Sequence, residues 1–115
     1  MNNSNNYQYA QSIISSLEKE KILILGLAKE GISTFNFLRQ IFPDKTIGLA
    51  DAETTLSSEL EQAQNITTHL GSDHLDHLEE YSLIFKTPGI PQNLPQIQQA
   101  VRNGVKLSSN LQLFL

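Results

Sequence analysis

The residues of this chain best placed to do chemistry lie in three short segments, each directly after an apolar run. The first is Gly26-Leu27-Ala28-Lys29-Glu30-Gly31, a G-x-G-x-x-G pattern with Ala28 in its middle place. In such a pattern the first glycine permits a tight turn and the last lets helix and strand pack closely. The helix start then offers unpaired N–H groups and a partial positive charge to an anion. Ala28 weakens the pattern, because the middle glycine is what lets a pyrophosphate touch the backbone. A strand-to-helix turn that holds no ligand would use the same residues. The second segment is Asp51, about 20 residues past Gly31, where a carboxylate can accept hydrogen bonds from ribose hydroxyls or a base edge. An aspartate there also serves as a helix cap or turn residue. The third is Thr87-Pro88-Gly89-Ile90-Pro91. Its prolines stiffen the loop and Gly89 leaves a backbone N–H unshielded, so it is either a rigid turn or a pre-ordered crevice wall that lowers the entropy cost of binding. Only the coincidence of the three segments points to a nucleotide, held in a single pocket.

Other polar residues carry less. His74 and His77, flanked by Asp73 and Asp76, could share one helical face. A histidine pair without a committed third ligand is a poor metal site, and no metal is expected. Lys86 could steer a phosphate, although a lysine at a strand end is more often solvated. The chain contains neither a serine elbow nor a G-x-x-x-x-G-K-[ST] phosphate loop. No catalytic residue is expected.

These segments need a scaffold that brings them together, and the hydrophobic pattern supplies one. Ala10, Ile13, Ile14 and Leu17 fall at helical spacing after a polar start, Met1 to Asn6, expected to fray. Ile22 to Leu25 is an unbroken apolar run, as in a strand covered on both faces. Ile32, Phe35, Leu38 and Ile41 predict a helix of about three turns. Further strands are expected at Thr46 to Ala50, Asn65 to Leu70, Tyr81 to Phe85 and Val105 to Leu107, with a weak helix over Ser57 to Gln64 and a short helix or turn over Ser72 to Glu79. Pro95 suits the first turn of a last helix whose stripe is Ile97, Ala100 and Val101, and Gly104 suits its end. Alternation of strand and helix implies an α/β fold, a Rossmann-like parallel five-stranded sheet with helices on both faces, preceded by a short N-terminal helix. The ligand crevice of such a sheet lies beyond the carboxyl ends of its strands, where the three segments arrive.

Composition narrows the function classes. With 115 residues the chain is of single-domain size. Its 8 Lys and Arg against 12 Asp and Glu give a formal charge of -4 and no basic stripe for nucleic acid. There is no cysteine, which excludes disulfides and thiolate metal sites. No apolar run approaches the roughly 20 residues of a membrane span, and the Asn-rich start is unlike a secretory signal. A cytoplasmic protein without membrane or nucleic-acid partners is expected.

Taken in order, Lys21 to Gly31, Asp51, Leu70-Gly71-Ser72, Phe85-Lys86-Thr87-Pro88-Gly89-Ile90-Pro91 and Leu111-Gln112-Leu113-Phe114 resemble the start of the Mur ligases. The nearest branch joins D-glutamate to UDP-N-acetylmuramoyl-L-alanine, and the Lys-Thr-Pro-Gly-Ile-Pro stretch is the most specific match. The resemblance covers residues 20–115. It implies a three-domain, ATP-dependent enzyme of peptidoglycan synthesis. The first domain grips the UDP end of the sugar nucleotide, the central one carries ATP and magnesium, and the last brings D-glutamate to an acyl phosphate. Residues 1–20 would then be a leader with its helix, and 21–115 a UDP-binding domain. No cofactor would bind this chain, which would be inactive alone.

Carried over by matching position, Ala28, Lys29 and Glu30, flanked by Gly26 and Gly31, belong beside the diphosphate and uridine. Asp51, Ala52 and Glu53 fall on the uracil and ribose side, and Thr87, Pro88 and Gly89 on the facing wall. Three departures stand out. Glu53 replaces an arginine of some members, Asn110 and Gln112 replace common acidic residues, and Glu30 sets a negative charge near a diphosphate. Two other readings of the same residues remain: the NAD-binding domain of a dehydrogenase, against which Ala28 and the Pro-Gly-Ile-Pro wall argue, and a stand-alone nucleotide-binding or interaction module.

Overall fold

Ile22, Leu23, Ile24 and Leu25 are all fully buried, and this is why their strand lies at the centre of the sheet. In the computed structural model, which describes residues 3–109, the order is α1 (Asn3–Lys19), β1 (Ile22–Leu25), α2 (Lys29–Ile41), β2 (Ile47–Asp51), α3 (Ser58–Glu61), β3 (Ile66–Leu70), a 3-10 turn (Leu78–Glu80), β4 (Leu83–Lys86), α4 (Pro95–Arg102) and β5 (Lys106–Ser108). The five strands run in the order β3-β2-β1-β4-β5, and every pair is parallel.

Side chains alternate across β1, so the sheet has two cores. Ile22 and Ile24 join Leu17, Phe35, Leu38 and Leu60 under α1, α2 and α3. Leu23 and Leu25 join Leu78, Ile97 and Ala100 under the 3-10 turn and α4. Connections after β1 and β2 thus cover one face and those after β3 and β4 the other, as right-handed crossovers require when strand order reverses beside β1.

The structure moves several boundaries. α1 already runs from Asn3 where a frayed start was expected; once Ile13, Ile14 and Leu17 anchor it to the core, extension costs little per residue. Ala10 is exposed and takes no part in that stripe. Val101, expected in the stripe of α4, is 45% exposed. The expected helix over Ser57 to Gln64 shrinks to one turn, and the fourth and fifth strands begin later than expected. Tyr81 ends the 3-10 turn, and the amides of Ser82 and Leu83 both donate to the Lys21 carbonyl.

One polar tie at the far end of the sheet had no signature in the sequence. The Arg39 guanidinium donates to the carbonyls of Phe42, Pro43 and Lys45 after α2, and to those of Gln64 and Asn65 before β3. It also sits 5.1 Å from the Phe35 ring centre. Among the described residues no helix is long and apolar enough to cross a membrane.

Candidate functional site

Register aligns the strand tips. Leu25 pairs with Ala50 on one side and with Lys86 on the other, so the loops after β1, β2 and β4 leave the sheet side by side. The Gly26 amide donates to Ala50 and the Thr87 amide to Leu25, which carries the pairing one step past each strand.

Gly26 turns the chain at φ +99°, and a Cβ there would lie 2.1 Å from Thr87 Oγ1. A Cβ on Gly31 would lie 1.9 Å from the Gly26 carbonyl oxygen. The first position therefore needs a left-handed turn and the second a close helix-to-loop approach, the two demands that this glycine pattern makes. α2 follows with Ala28 at its N-cap and no side-chain cap. Its first-turn amides face the strand tips, where an anion gains from the helix dipole.

Asp51 joins two of the loops. Its Oδ2 accepts the Leu27 N–H at 2.6 Å and its Oδ1 the Glu53 N–H at 2.8 Å. Gly71 completes the arrangement by donating to the carbonyls of both Asp51 and Glu53. Beside this clamp lies a hollow of about 420 Å³ bordered by Leu27, Ala28, Asp51, Glu53, Leu56 and Ser57, a volume typical of small-molecule sites. A neighbouring hollow of about 520 Å³ shares Leu27 and Ala28 and extends along Lys29, Ser33 and Asn36.

The third segment does not border that space. Thr87 and Ile90 pack against Gly26. Thr87 and Pro88 instead flank a recess of about 30 Å³ with Glu30, Thr34, Lys86 and Ser109. Of the expected residues, Ala28, Asp51 and Glu53 thus share the main hollow, Lys29 lies in its neighbour, and Glu30, Thr87 and Pro88 meet at the recess. Gly26 and Gly31 are buried beneath, while Ala52 and Gly89 are exposed on their loops. Asn110, Gln112 and the Leu111 to Phe114 segment lie outside the described residues.

Lys86 is not the solvated lysine expected. It is 6% exposed, and its ammonium donates to the carbonyls of Thr87 at 3.2 Å and Ile90 at 2.7 Å. The histidines also fall differently. The segment around them takes the turn of the expected helix or turn, so no helical face carries the pair, and His74 bonds the Gly71 carbonyl. His77 pairs with Glu80 at 2.7 Å and stacks on His69, ring centres 4.6 Å apart. Its hydrogen bond to Glu80 holds the His77 proton above the ordinary range and lowers Glu80. Burial, then the neighbouring His77, lowers His69, whose Nε2 meets the Tyr81 hydroxyl at 2.7 Å. Among the described residues no group of three or more His, Asp or Glu is placed to share a metal ion.

A doubly wound parallel sheet with an uncapped helix and a clamped hollow at its switch point defines a Rossmann-like domain. Its sequence matches the family described as Mur ligase MurD-like, N-terminal domain, over residues 20–109, and the chain belongs to that family. It is similar to a UDP-N-acetylmuramoylalanine--D-glutamate ligase of Exiguobacterium sibiricum, 32% identical over 101 residues that make up 86% of this chain and 22% of the relative. A ligase of the same description from Streptococcus pneumoniae is 31% identical over 105 residues, 88% of this chain and 23% of the relative. One from Pasteurella multocida is 29% identical, covering 87% and 23%. The chain thus spans less than a quarter of the length of these relatives. Neither the dehydrogenase reading nor the stand-alone module is favoured by this membership.

Proposed function

We propose that this chain is the UDP-holding first domain of a cytoplasmic ligase of peptidoglycan synthesis that uses ATP to join D-glutamate to UDP-N-acetylmuramoyl-L-alanine. The observation that carries the reading is the clamped hollow beside the uncapped start of α2, in a chain of this family. Uracil and ribose lie against Asp51, Ala52 and Glu53 at the main hollow, the diphosphate runs along Ala28, Lys29 and Glu30 toward the recess, and Thr87 to Gly89 stand on the far side of that recess. ATP and magnesium belong to a central domain and D-glutamate to a last one, both outside this chain. Residues 21–115 form the UDP-binding unit, and the chain alone is inactive.

A grip on the remote UDP helps by placing the substrate carboxylate within about 3 Å of its attacker, a positioning effect of several kcal/mol for the whole enzyme. Contacts shared by ground and transition states lower KM without speeding the chemistry. Titrating the chain with UDP-N-acetylmuramoyl-L-alanine, UDP and NAD, followed by NMR shift mapping, tests the assignment. The sugar nucleotide and UDP should move amides around Ala28, Asp51 and Thr87. Binding of NAD alone, or of no nucleotide at all, would overturn it.

A further inference from the structure

Lysine is among the residue types least often buried without a partner, yet Lys86 ends β4 at 6% exposure. Among the described residues the only acidic ion pairs are His77 with Glu80 and Lys106 with Glu20, so no carboxylate meets the Lys86 ammonium. Carbonyl dipoles of Thr87 and Ile90 offset part of its burial, but a buried full charge is costly unless an opposite charge joins it. Holding the loop is not reason enough for a cation, because the Ile90 amide already closes the same turn on the Thr87 carbonyl.

An ammonium has three N–H donors, and two of them are committed to the loop. Lys86 borders the recess between the first turns of α2 and the end of β4, together with Glu30, Thr34 and Thr87. Glu30, the acidic residue on that rim, is exposed and makes no ion pair with the ammonium. We infer that Lys86 is an anion-holding residue of the sugar-nucleotide site: two donors fix the Thr87–Ile90 wall, and the third, with the charge, is given to a diphosphate oxygen of the ligand. This rests on the UDP reading and adds a residue to it. The missing counter-charge arrives with the ligand, and the wall is tied to the group it binds.

Calorimetric titration of the chain with UDP and with uridine, at low and at raised salt, tests this. Lys86→Met should weaken UDP by about 10-fold, the loss expected for one charged hydrogen bond, leave uridine within about 2-fold, and flatten the salt dependence of UDP binding. Lys86→Arg should restore part of the preference for UDP. Equal losses for both ligands, or an unchanged UDP affinity, would overturn the assignment. Should Lys86→Met fail to fold, the ¹⁵N resonance of the wild-type Lys86 ammonium serves instead: it should shift with UDP and not with uridine, and no shift with UDP overturns the role. A wild-type chain that binds neither ligand refutes the nucleotide reading, and Lys86's role falls with it. A wild-type chain that binds UDP, with Lys86→Met binding it equally well, refutes the role alone.

Discussion

Removing the Asp51 carboxylate should lower stability by about 2–3 kcal/mol, nearly all of it through one of its two backbone hydrogen bonds. The bond from Leu27 is short, at 2.6 Å, and partly buried, while the bond from Glu53, at 2.8 Å, is exposed. Water replaces the second partner at little cost. The Leu27 amide loses a charged acceptor where water reaches it poorly, and losing such a bond costs about 2–3 kcal/mol. Asp51→Asn keeps one oxygen for Leu27 and turns its amide group toward the exposed side, so it should cost about 1 kcal/mol. In urea unfolding the midpoint should fall by about 1–2 M for Asp51→Ala and by about 0.5 M for Asp51→Asn. A midpoint for Asp51→Ala within about 0.3 M of wild type, or an Asn variant weaker than the Ala variant, refutes the clamp. The same residue borders the main hollow, so in the full enzyme Asp51→Ala should raise the sugar-nucleotide KM more than it changes kcat. An unchanged KM removes Asp51 from the site.

At the other end of the sheet, Arg39→Ala should cost about 2–3 kcal/mol, because two of its five carbonyl partners, Phe42 and Lys45, are partly buried. Arg39→Lys should recover less than half of that loss, since a point charge cannot span both loops as the planar fork does; equal urea midpoints for Lys and Arg would contradict this. Histidine ring NMR should place the His77 midpoint above 6.5 and that of His69 below it, and Glu80→Gln should bring His77 down toward 6.5. The folded chain holds the His77 proton more tightly than the unfolded one. Its contribution is therefore complete below pH 6.5 and lost as pH rises through the raised value, while the Glu80 share is lost at low pH, below 4.5. His69 works the other way and costs stability as pH falls below 6.5. Coincident midpoints for the two rings would refute the account.

What the sequence disclosed were features written in the chain's own local order. An apolar run with no polar break means a strand covered on both faces, and Ile22 to Leu25 is such a strand. Pro95 begins its helix and Gly104 ends it in the left-handed region, because each residue fixes its own backbone. The three site segments follow from the same logic, since loops after parallel strands must emerge at one edge. Hidden from the sequence was everything that depends on which distant group a charge meets. Arg39 reads as one more cation on a helix, yet it binds carbonyls as far along the chain as Asn65. Lys86 reads as a strand-end lysine, and its burial depends on how Thr87 to Ile90 fold back over it. The packing of Thr87 and Ile90 against Gly26, in the loop after β1, was equally invisible.

The Asp51 clamp serves a purpose that packing could not. A loop at the tip of a parallel sheet must be fixed if binding is not to cost ordering entropy, but fixing it with apolar side chains fills the space a ligand needs. Where side chains do the fixing, at Thr87 and Ile90 against Gly26, they occupy the space beside the turn. Where it uses a carboxylate, at Asp51, two loops are held by their backbone amides and a hollow of about 420 Å³ stays open beside them. On the proposed reading a nucleoside has room beside the tips of β1 and β2, which hydrogen bonds hold, while the buried cation at the tip of β4 faces the separate recess by the first turns of α2.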